Sequence, residues 1–530
     1  MKRALAIILF LCPVALAQIP RVIGTVLDAD SREPVVGAVV RLVPGATGSV
    51  TGEDGRFEMT DIRVGAYQIV ISHVGYRTKR QAEFRVHTAL DTALIVMLRE
   101  EAINEGPVVV TASRRAQALA DVPVSMATME AEEIASRAVV NADEAIRKVS
   151  GVSMIEDQIN IRGSSGYSRG VGSRVLLLVD GLPMLTGDTG EINWETIPVH
   201  QIERIEVVKG AGSALYGSSA LGGVVNIITK EIERETQVAI QTLAGVYDRF
   251  PNAEWNWSSR MRRTSAVSTT VTGRPAEIGY LVGLQQTMDE GYRQNDVAHR
   301  YGLFGKVSWH PPGGGALKVT LNAVRRLNGN YFWWKSLREP ALPPEDQQQR
   351  WVESTRGNVS VEYRPPTSEG SSVVLRGQYY GNDWLDRIRR VVGNRSRSDQ
   401  CTVEGQLTQV VGDRSILIGG VAGHGDRVRS NIFGTHPGVG MAVFVQSEYR
   451  ATEEISMNAG LRWDWQKVSV LAGASQLDPR AAVTYRPAPL TTFRASWGTG
   501  FRYPSIGELY TSVTTGFGSV NVVPNPALKP

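Results

Sequence analysis

Three groupings in this 530-residue chain have residue types and spacing that chemistry could use. His200-Gln201-Ile202-Glu203 has the His-x-x-Glu spacing of two zinc ligands, which a hydrolytic site completes with a distant histidine and an open position for water. The run Gly210 to Gly223, GAGSALYGSSALGG, is rich enough in glycine for backbone N–H groups to approach a phosphate. It lacks the Gly-Lys-Ser/Thr ending of a nucleotide loop, however, and precedes a strand rather than opening a helix. Tyr331, Phe332, Trp333 and Trp334 follow Asn328-Gly329-Asn330 and could stack on a flat ligand or sit in a membrane-interface belt.

The elements around the glycine-rich run are legible from their apolar pattern. Val175 to Val179 and Val224 to Ile228 read as buried strands, with Ile205 to Val208 as a third. Between Asp121 and Arg147, Ala131, Ile134 and Ala138, then Ala142, Ala145 and Ile146, recur at near-helical spacing, with Asn141 as the expected cap before Asp143 and Glu144. A small α+β unit follows.

Its word order resembles the plug domain of TonB-dependent outer-membrane transporters. The matching words are Ile161-Arg162-Gly163, Val179-Asp180-Gly181, Ile202-Glu203-Arg204-Ile205-Glu206-Val207, and Ser213-Ala214-Leu215-Tyr216-Gly217 running into Gly222-Gly223-Val224-Val225-Asn226-Ile227-Ile228. The resemblance makes Arg162, Gly163, Asp180, Gly181, Glu203, Arg204, Glu206, Tyr216, Gly217, Gly222, Gly223 and Asn226 plug-motif residues. It puts Glu203 in a plug strand, so the His-Glu pair reads as a strand entrance. Neither a metal nor a cofactor is expected, and the chain is not read as an enzyme.

Ahead of the plug, MKRALAIILFLCPVALAQ has a charged start at Lys2 and Arg3, an apolar stretch from Ala4 to Leu16, and small residues at Ala15 and Ala17, which together read as a signal peptide over 1–17. Acylation at Cys12 is disfavoured by the bulk of Phe10 and Leu11, and cleavage would leave Cys401 as the lone cysteine. Residues 18–99 alternate short β-rich runs with turns such as Asp54-Gly55, giving a small sandwich similar to the carboxypeptidase regulatory-like domain. A linker over 100–112 contains Val108, Val109, Val110 and Thr111. These residues read either as the first strand of the plug or, by the family resemblance, as the TonB box, a segment suited to β-augmentation.

The plug is expected over 113–232 and strands of a transmembrane barrel over 233–530. Ile278, Tyr280, Val282 and Leu284 alternate with Gly279, Leu281, Gly283 and Gln285, and Phe493, Ala495 and Trp497 alternate likewise with polar neighbours. Tyr449, Trp463 and Trp465 suit interfacial girdles, and Glu339 to Arg350 reads as a long polar loop. FRYPSIGELY and NPALKP near the carboxyl end are similar to words inside the transporter barrel. At roughly 22 to 25 residues per strand and connection, about a dozen strands are expected where plugged transporters close with 22, so the barrel is expected to be incomplete and the chain a fragment.

The fold class is therefore mainly β: a sandwich, an α+β plug and a transmembrane antiparallel barrel. The net charge of +4 is too small for a nucleic-acid binder, and past the amino terminus no apolar run reaches the ~20 residues of a membrane helix. The resemblance implies TonB-dependent import of a siderophore-iron or cobalamin type of solute. TonB with its inner-membrane energising complex, outer-membrane lipids and a small-molecule ligand are the implied partners, and the amino-terminal unit is placed in the periplasm. A glycan or peptide importer working with a surface lipoprotein is the alternative, and a secreted β-module adhesion protein is the reading from another class. Candidate solute contacts are Ser164, Ser165, Tyr167 and Arg169 on a plug turn, with Tyr331, Phe332, Trp333 and Trp334.

Overall fold

Among the described residues, eight short strands form the first unit: β1 Val22–Asp28, β2 Val39–Val43, β3 Gly48–Val50, β4 Arg56–Met59, β5 Gly65–His73, β6 Tyr76–Arg80, β7 Phe84–Val86 and β8 Thr92–Leu98. The computed structural model describes residues 20–529 apart from 30, 44–47, 53, 61, 74–75, 81–83, 87–91, 99–107, 138, 156, 165–170, 332, 369, 390, 489–490 and 516–519. It divides into two compact units, Met1–Gly106 and Pro107–Pro530. In the first, one sheet runs β4-β1-β8 and the other β3-β2-β5-β6, with β7 beside β5. Val22, Val26, Val40, Leu42, Phe57, Ile69, Ile71 and Val96 fill the core between them. Gly24 makes room for that packing, since a Cβ there would meet the Phe57 ring at 2.5 Å.

The second unit opens with β9 Val108–Val109, paired antiparallel with β10 Gln117–Ala118. Next come β11 Met126–Glu130, α1 Ala131–Ser136, α2 Ala142–Ile146, the hairpin β12 Val152–Ile155 with β13 Gln158–Ile161, β14 Val175–Val179, β15 Leu182–Pro183, β16 Ile202–Lys209, α3 Ser213–Tyr216 and β17 Gly223–Thr229. A sheet of order β11-β16-β17-β14-β15 is their centre, with β14 and β17 parallel. One face carries Leu177, Ile205, Val207, Val225 and Ile227 against Ile134, Ala145 and Ile146 of the helices, and the other carries Leu176, Leu178, Val208 and Val224. Burial of both faces is why these strands read as continuous apolar runs. Asn141 departs from expectation. It occupies the N-cap position of α2, but its side chain makes no cap bond; its Oδ1 accepts instead from Arg300 Nη2 at 2.7 Å.

Thirteen long strands follow: β18 Gln237–Val246, β19 Arg263–Gly273, β20 Ile278–Asp289, β21 Ala298–Trp309, β22 Ala316–Gly329, β23 Arg350–Arg364, β24 Ser371–Ile388, β25 Val391–Val411, β26 Ser415–Ser430, β27 Gly434–Arg450, β28 Ile455–Val468, β29 Ala474–Ala488 and β30 Thr491–Gly498. Each pairs with the next in one sheet. Their alternation resolves as a membrane barrel requires: Val282, Leu284, Phe493 and Trp497 lie on the outer face, exposed by 45, 57, 61 and 63%, while Gly279, Leu281 and Gly283 are turned inward onto the plug. Cys401 is on the outer face. Longer connections gather at one end, including 247–262 and 330–349, and short turns such as 412–414 and 451–454 at the other.

Candidate functional site

The words that match the plug pattern build tight turns and one polar fastening. Asp180-Gly181 is the two-residue turn between β14 and β15, both residues having positive φ as a type I′ turn requires. The Asp180 carboxylate accepts from the Thr229 N–H and hydroxyl at 2.8 and 2.6 Å, and Gly181 N–H donates to Asn226 Oδ1. Gly217 adopts φ 80°, and Gly222 lies so close to Ser164 that a Cβ would meet its Oγ at 2.2 Å. Arg162, beside Gly163, donates to Ser125. The zinc-like pair diverges: Glu203 is exposed, while His200 is turned into a mainly apolar pocket with Ile134, Val139 and Leu243. Burial, and then the charge of Lys230, push the His200 imidazole down to about 4, so it stays neutral.

Glu206 organises the segment ahead of the plug. Fully buried, its carboxylate accepts from Val110 N, Thr111 N and Thr111 Oγ1 at 3.0, 2.9 and 2.6 Å, and from Arg204 Nε at 2.8 Å. Tyr216 Oη donates to the Thr111 carbonyl, and Asn226 Nδ2 to the Thr111 hydroxyl, both at 2.9 Å. Val109 is buried beside Ala112 and Val122. Val108 to Thr111, Glu206, Tyr216 and Asn226 thus converge on one latch.

Arg114 and Arg115, next along the chain, tie that latch to the barrel. Arg114 reaches Glu404 at 2.8 Å and stacks its guanidinium over the rings of Tyr216 and Phe444, with centroids at 4.6 and 4.3 Å. Arg115 Nε meets Glu448 at 2.8 Å. Many other inward side chains of the barrel bind main-chain carbonyls of the plug: Lys306 that of Lys230, Asn322 that of Thr196, Gln378 that of Pro183, Arg462 that of Leu215 and Arg494 that of Val122. Glu195 pairs with Arg326 and Arg356; burial alone would raise its carboxyl, but these cations and Arg300 hold it below the ordinary range. Nearby Glu191 accepts from Asn193 and lies within reach of the Arg356 charge, but burial followed by Asp188 outweighs both and pushes it up to about 7.

At the long-loop end, FRYPSIGELY turns inward as a hook ending in α4 Ile506–Tyr510. Ser505 and Glu508 form a capping box, and Arg502 grips Glu508 through both terminal nitrogens. The hook touches the plug through Ser213, Ser218 and Asp188, and buries Ile506 and Leu509 against Val428, Phe433 and Val468 of the barrel region. Asp188 also accepts from Ser396 and Trp384 of the wall. Sequence reasoning missed Arg114, Arg115, Asp188, Glu404 and Arg502. Only Glu404 carried a pattern signal, charge on the polar side of an alternating strand; Arg114, Arg115 and Asp188 lie outside strands, and Arg502 was legible only as part of FRYPSIGELY.

Of the proposed solute contacts, Tyr331 sits in the 330–349 connection under Arg293, whose guanidinium lies 4.0 Å from the ring centroid. Trp333 is half-buried and Trp334 is 57% exposed. Phe332, Ser165, Tyr167 and Arg169 lie outside the described residues. Phe250 and Tyr292 stack at 4.1 Å at the same end, with Arg262 over Trp257.

Comparison with known proteins gives three family matches: the TonB-dependent receptor plug domain over residues 118–224, the TonB-dependent receptor-like β-barrel over 244–530, and the CarboxypepD_reg-like domain over 22–110. The iron-regulated outer membrane virulence protein of Vibrio cholerae is 25% identical over 453 residues, which is 80% of this chain and 64% of that protein. The vitamin B12 transporter BtuB of the same species is 23% identical over 83% of this chain and 69% of its own length. The chain thus spans about two thirds of the length of these relatives. Among solved structures, the siderophore receptor PirA of Pseudomonas aeruginosa superposes with a TM-score of 0.61 at 20% identity, covering 78% of this chain and 69% of the receptor. The unliganded ferric citrate transporter FecA gives 0.62 at 14% identity, covering 74% and 65%.

Proposed function

The chain belongs to the TonB-dependent receptor family, and from that premise we propose that it serves the active import of a scarce solute, of the siderophore-iron or cobalamin kind, with plug movement driven by TonB. The observation that carries the reading is the Glu206 latch. It stows a short β-forming segment, Val108 to Thr111, in hydrogen bonds that a pull from the amino-terminal side loads in sequence. Once freed, main-chain donors and acceptors of that segment suit pairing with a strand of a partner. In this reading the short-turn end and the amino-terminal unit face the periplasm, and the long-loop end faces outward. TonB with its energising complex, the surrounding lipids and the solute are the partners. This reading asks for no covalent chemistry from the protein.

The names of the relatives favour a siderophore or cobalamin over a glycan or peptide delivered with a surface lipoprotein. Tyr331 under Arg293, the stacked pair Phe250 and Tyr292, and Trp257 under Arg262 give the outward end a mixed aromatic and cationic surface suited to a flat, electron-rich ligand.

The test is uptake of radiolabelled cobalamin and of ferric siderophores by a host lacking its own receptors, with and without TonB. Uptake of one of them only when TonB is present is the expected result. Val109→Pro, which deletes an N–H from the pairing segment, is expected to reduce uptake to the TonB-free level at unchanged abundance in the outer membrane. Equal uptake with and without TonB would refute the proposal.

A further inference from the structure

The outward face of β24 to β27 changes character at one height. Cross-strand register places Ser371, Gln409, Leu417 and Ser447 in one outward row near the short turns, and Tyr379, Cys401, Gly425 and Val439 in another toward the long connections. Counting these two, five successive outward rows carry no charged side chain. They span about nine residues per strand, the length a tilted strand needs to cross the hydrocarbon. The next two rows are Gly381, Asp399, Arg427 and Pro437, then Asp383, Arg397, Arg429 and Thr435, and Arg395 follows on β25. Four arginines thus begin where the uncharged band stops, at the depth of lipid headgroups.

Carboxylates in the patch satisfy these arginines only in part. Arg395 Nη2 meets Asp383 at 2.9 Å and Arg397 Nη2 meets Asp399 at 3.1 Å, but Asp399 also accepts from Tyr379 Oη at 2.6 Å, and Arg429 stands 4.0 Å from it. Arg427 has no hydrogen bond or ion pair among the described residues. Four cations against two carboxylates leave the patch positive. Below it the wall is thinly covered. Gly419, Gly423 and Gly425 take three outward positions of β26, and a Cβ at Gly425 or at Gly377 of β24 would meet nothing within 4 Å. Guanidinium groups above a shallow apolar strip, edged by Val403 and Met441, fit an amphiphile with an anionic head and acyl chains. The opposite rim does not repeat the arrangement, since its row carries two serines, a glutamine and a leucine.

We propose that β24 to β26 hold a phosphorylated glycolipid of the outer leaflet, its acyl chains over the glycines of β26 and its phosphate in the forks of Arg397, Arg427 and Arg429. Guanidinium groups take phosphate oxygens in pairs, and sugar hydroxyls can donate to the Asp383 and Asp399 carboxylates, which a phosphate alone would repel. The inference rests on the import reading for the leaflet that the long-connection end meets, and adds a lipid site to it.

Native mass spectrometry of the full chain in mild detergent tests it, with added lipid A, a diphosphorylated glucosamine disaccharide, as the probe. The unaltered chain is expected to retain lipid A about tenfold better than dephosphorylated lipid A or phosphatidylglycerol. Arg397→Gln, Arg427→Gln and Arg429→Gln combined are expected to lower lipid A retention about tenfold, while Arg325→Gln, at an exposed outward position on β22, leaves it unchanged.

Equal retention of lipid A and its dephosphorylated form would overturn the site, as would phosphatidylglycerol held equally well or a triple variant that binds like the parent. Displacement of lipid A by inorganic phosphate, but not by chloride at equal ionic strength, would mean that the arginines hold a small anion and would overturn the lipid assignment. The comparison of lipids uses the unaltered chain, so it decides even where the triple variant does not fold. Preferential retention of lipid A by a chain whose uptake is indifferent to TonB would support the site and refute the import reading. TonB-dependent uptake without a preference for lipid A would do the reverse.

Discussion

Glu206 receives two backbone N–H groups, a hydroxyl and a guanidinium, so one buried carboxylate fixes the conformation of the segment ahead of it. Replacing it by alanine leaves Val110 and Thr111 N–H groups without their acceptor, at a cost of about 2–3 kcal/mol, or roughly a hundredfold in local opening. Glu206→Ala outer membranes are accordingly expected to be cut by trypsin at Arg114 and Arg115 much faster than the parent, with the barrel left intact. Two other plug residues set a pH dependence. His200 titrates near 4 in the fold against 6.5 when free, so the unfolded chain takes up the proton first and stability is lost as pH falls through that window. Glu191 runs the other way. Its carboxyl, raised to about 7 from 4.5, keeps its proton in the fold where the unfolded chain has released it, so stability is lost as pH rises from 4.5 to 7. Glu191→Gln is expected to raise stability by about 1–2 kcal/mol above pH 7 and to change little below about pH 4.5, as measured by thermal unfolding of the detergent-solubilised protein.

At the scale of the strand, neighbouring residues of β20 answer to different solvents. Leu284 faces outward, and Leu284→Arg places a charge against lipid at about 2–4 kcal/mol near the midplane. Gly283 faces the plug, where a Cβ would meet Gln201 Nε2 at 2.5 Å and disturb its bond to Thr270. The first change is expected to lower the amount of folded, heat-modifiable barrel on gels; Gly283→Leu should spare the barrel and loosen the plug, read as faster proteolysis of the latch. This alternation was legible in the sequence because a strand repeats every two residues, and the plug turns were legible because positive φ at Gly181 and Gly217 selects glycine. The ties were not. Arg114 and Glu404 are 290 positions apart, and neither residue type nor spacing announces a pair closed by the curvature of a barrel. Asn141 shows the same limit: the local rule placed it correctly at the N-cap of α2, while Arg300, 159 positions away, claimed the side-chain oxygen.

Taken as a whole, the second unit is a wall of strands around a plug that it holds by many polar ties. The hook at one end and the arginine latch at the other bracket the same four strands, β25 to β28. The wall's choice of acceptors has an evolutionary consequence. Asn322, Gln378, Arg462 and Arg494 address carbonyl groups that every amino acid possesses, so plug side chains at those contacts are free to diverge without losing the fit. At such contacts an exchange of plug side chain leaves the fit intact, and selection bears instead on positions such as Arg114, Asp188 and Glu195, where recognition is written in side chains.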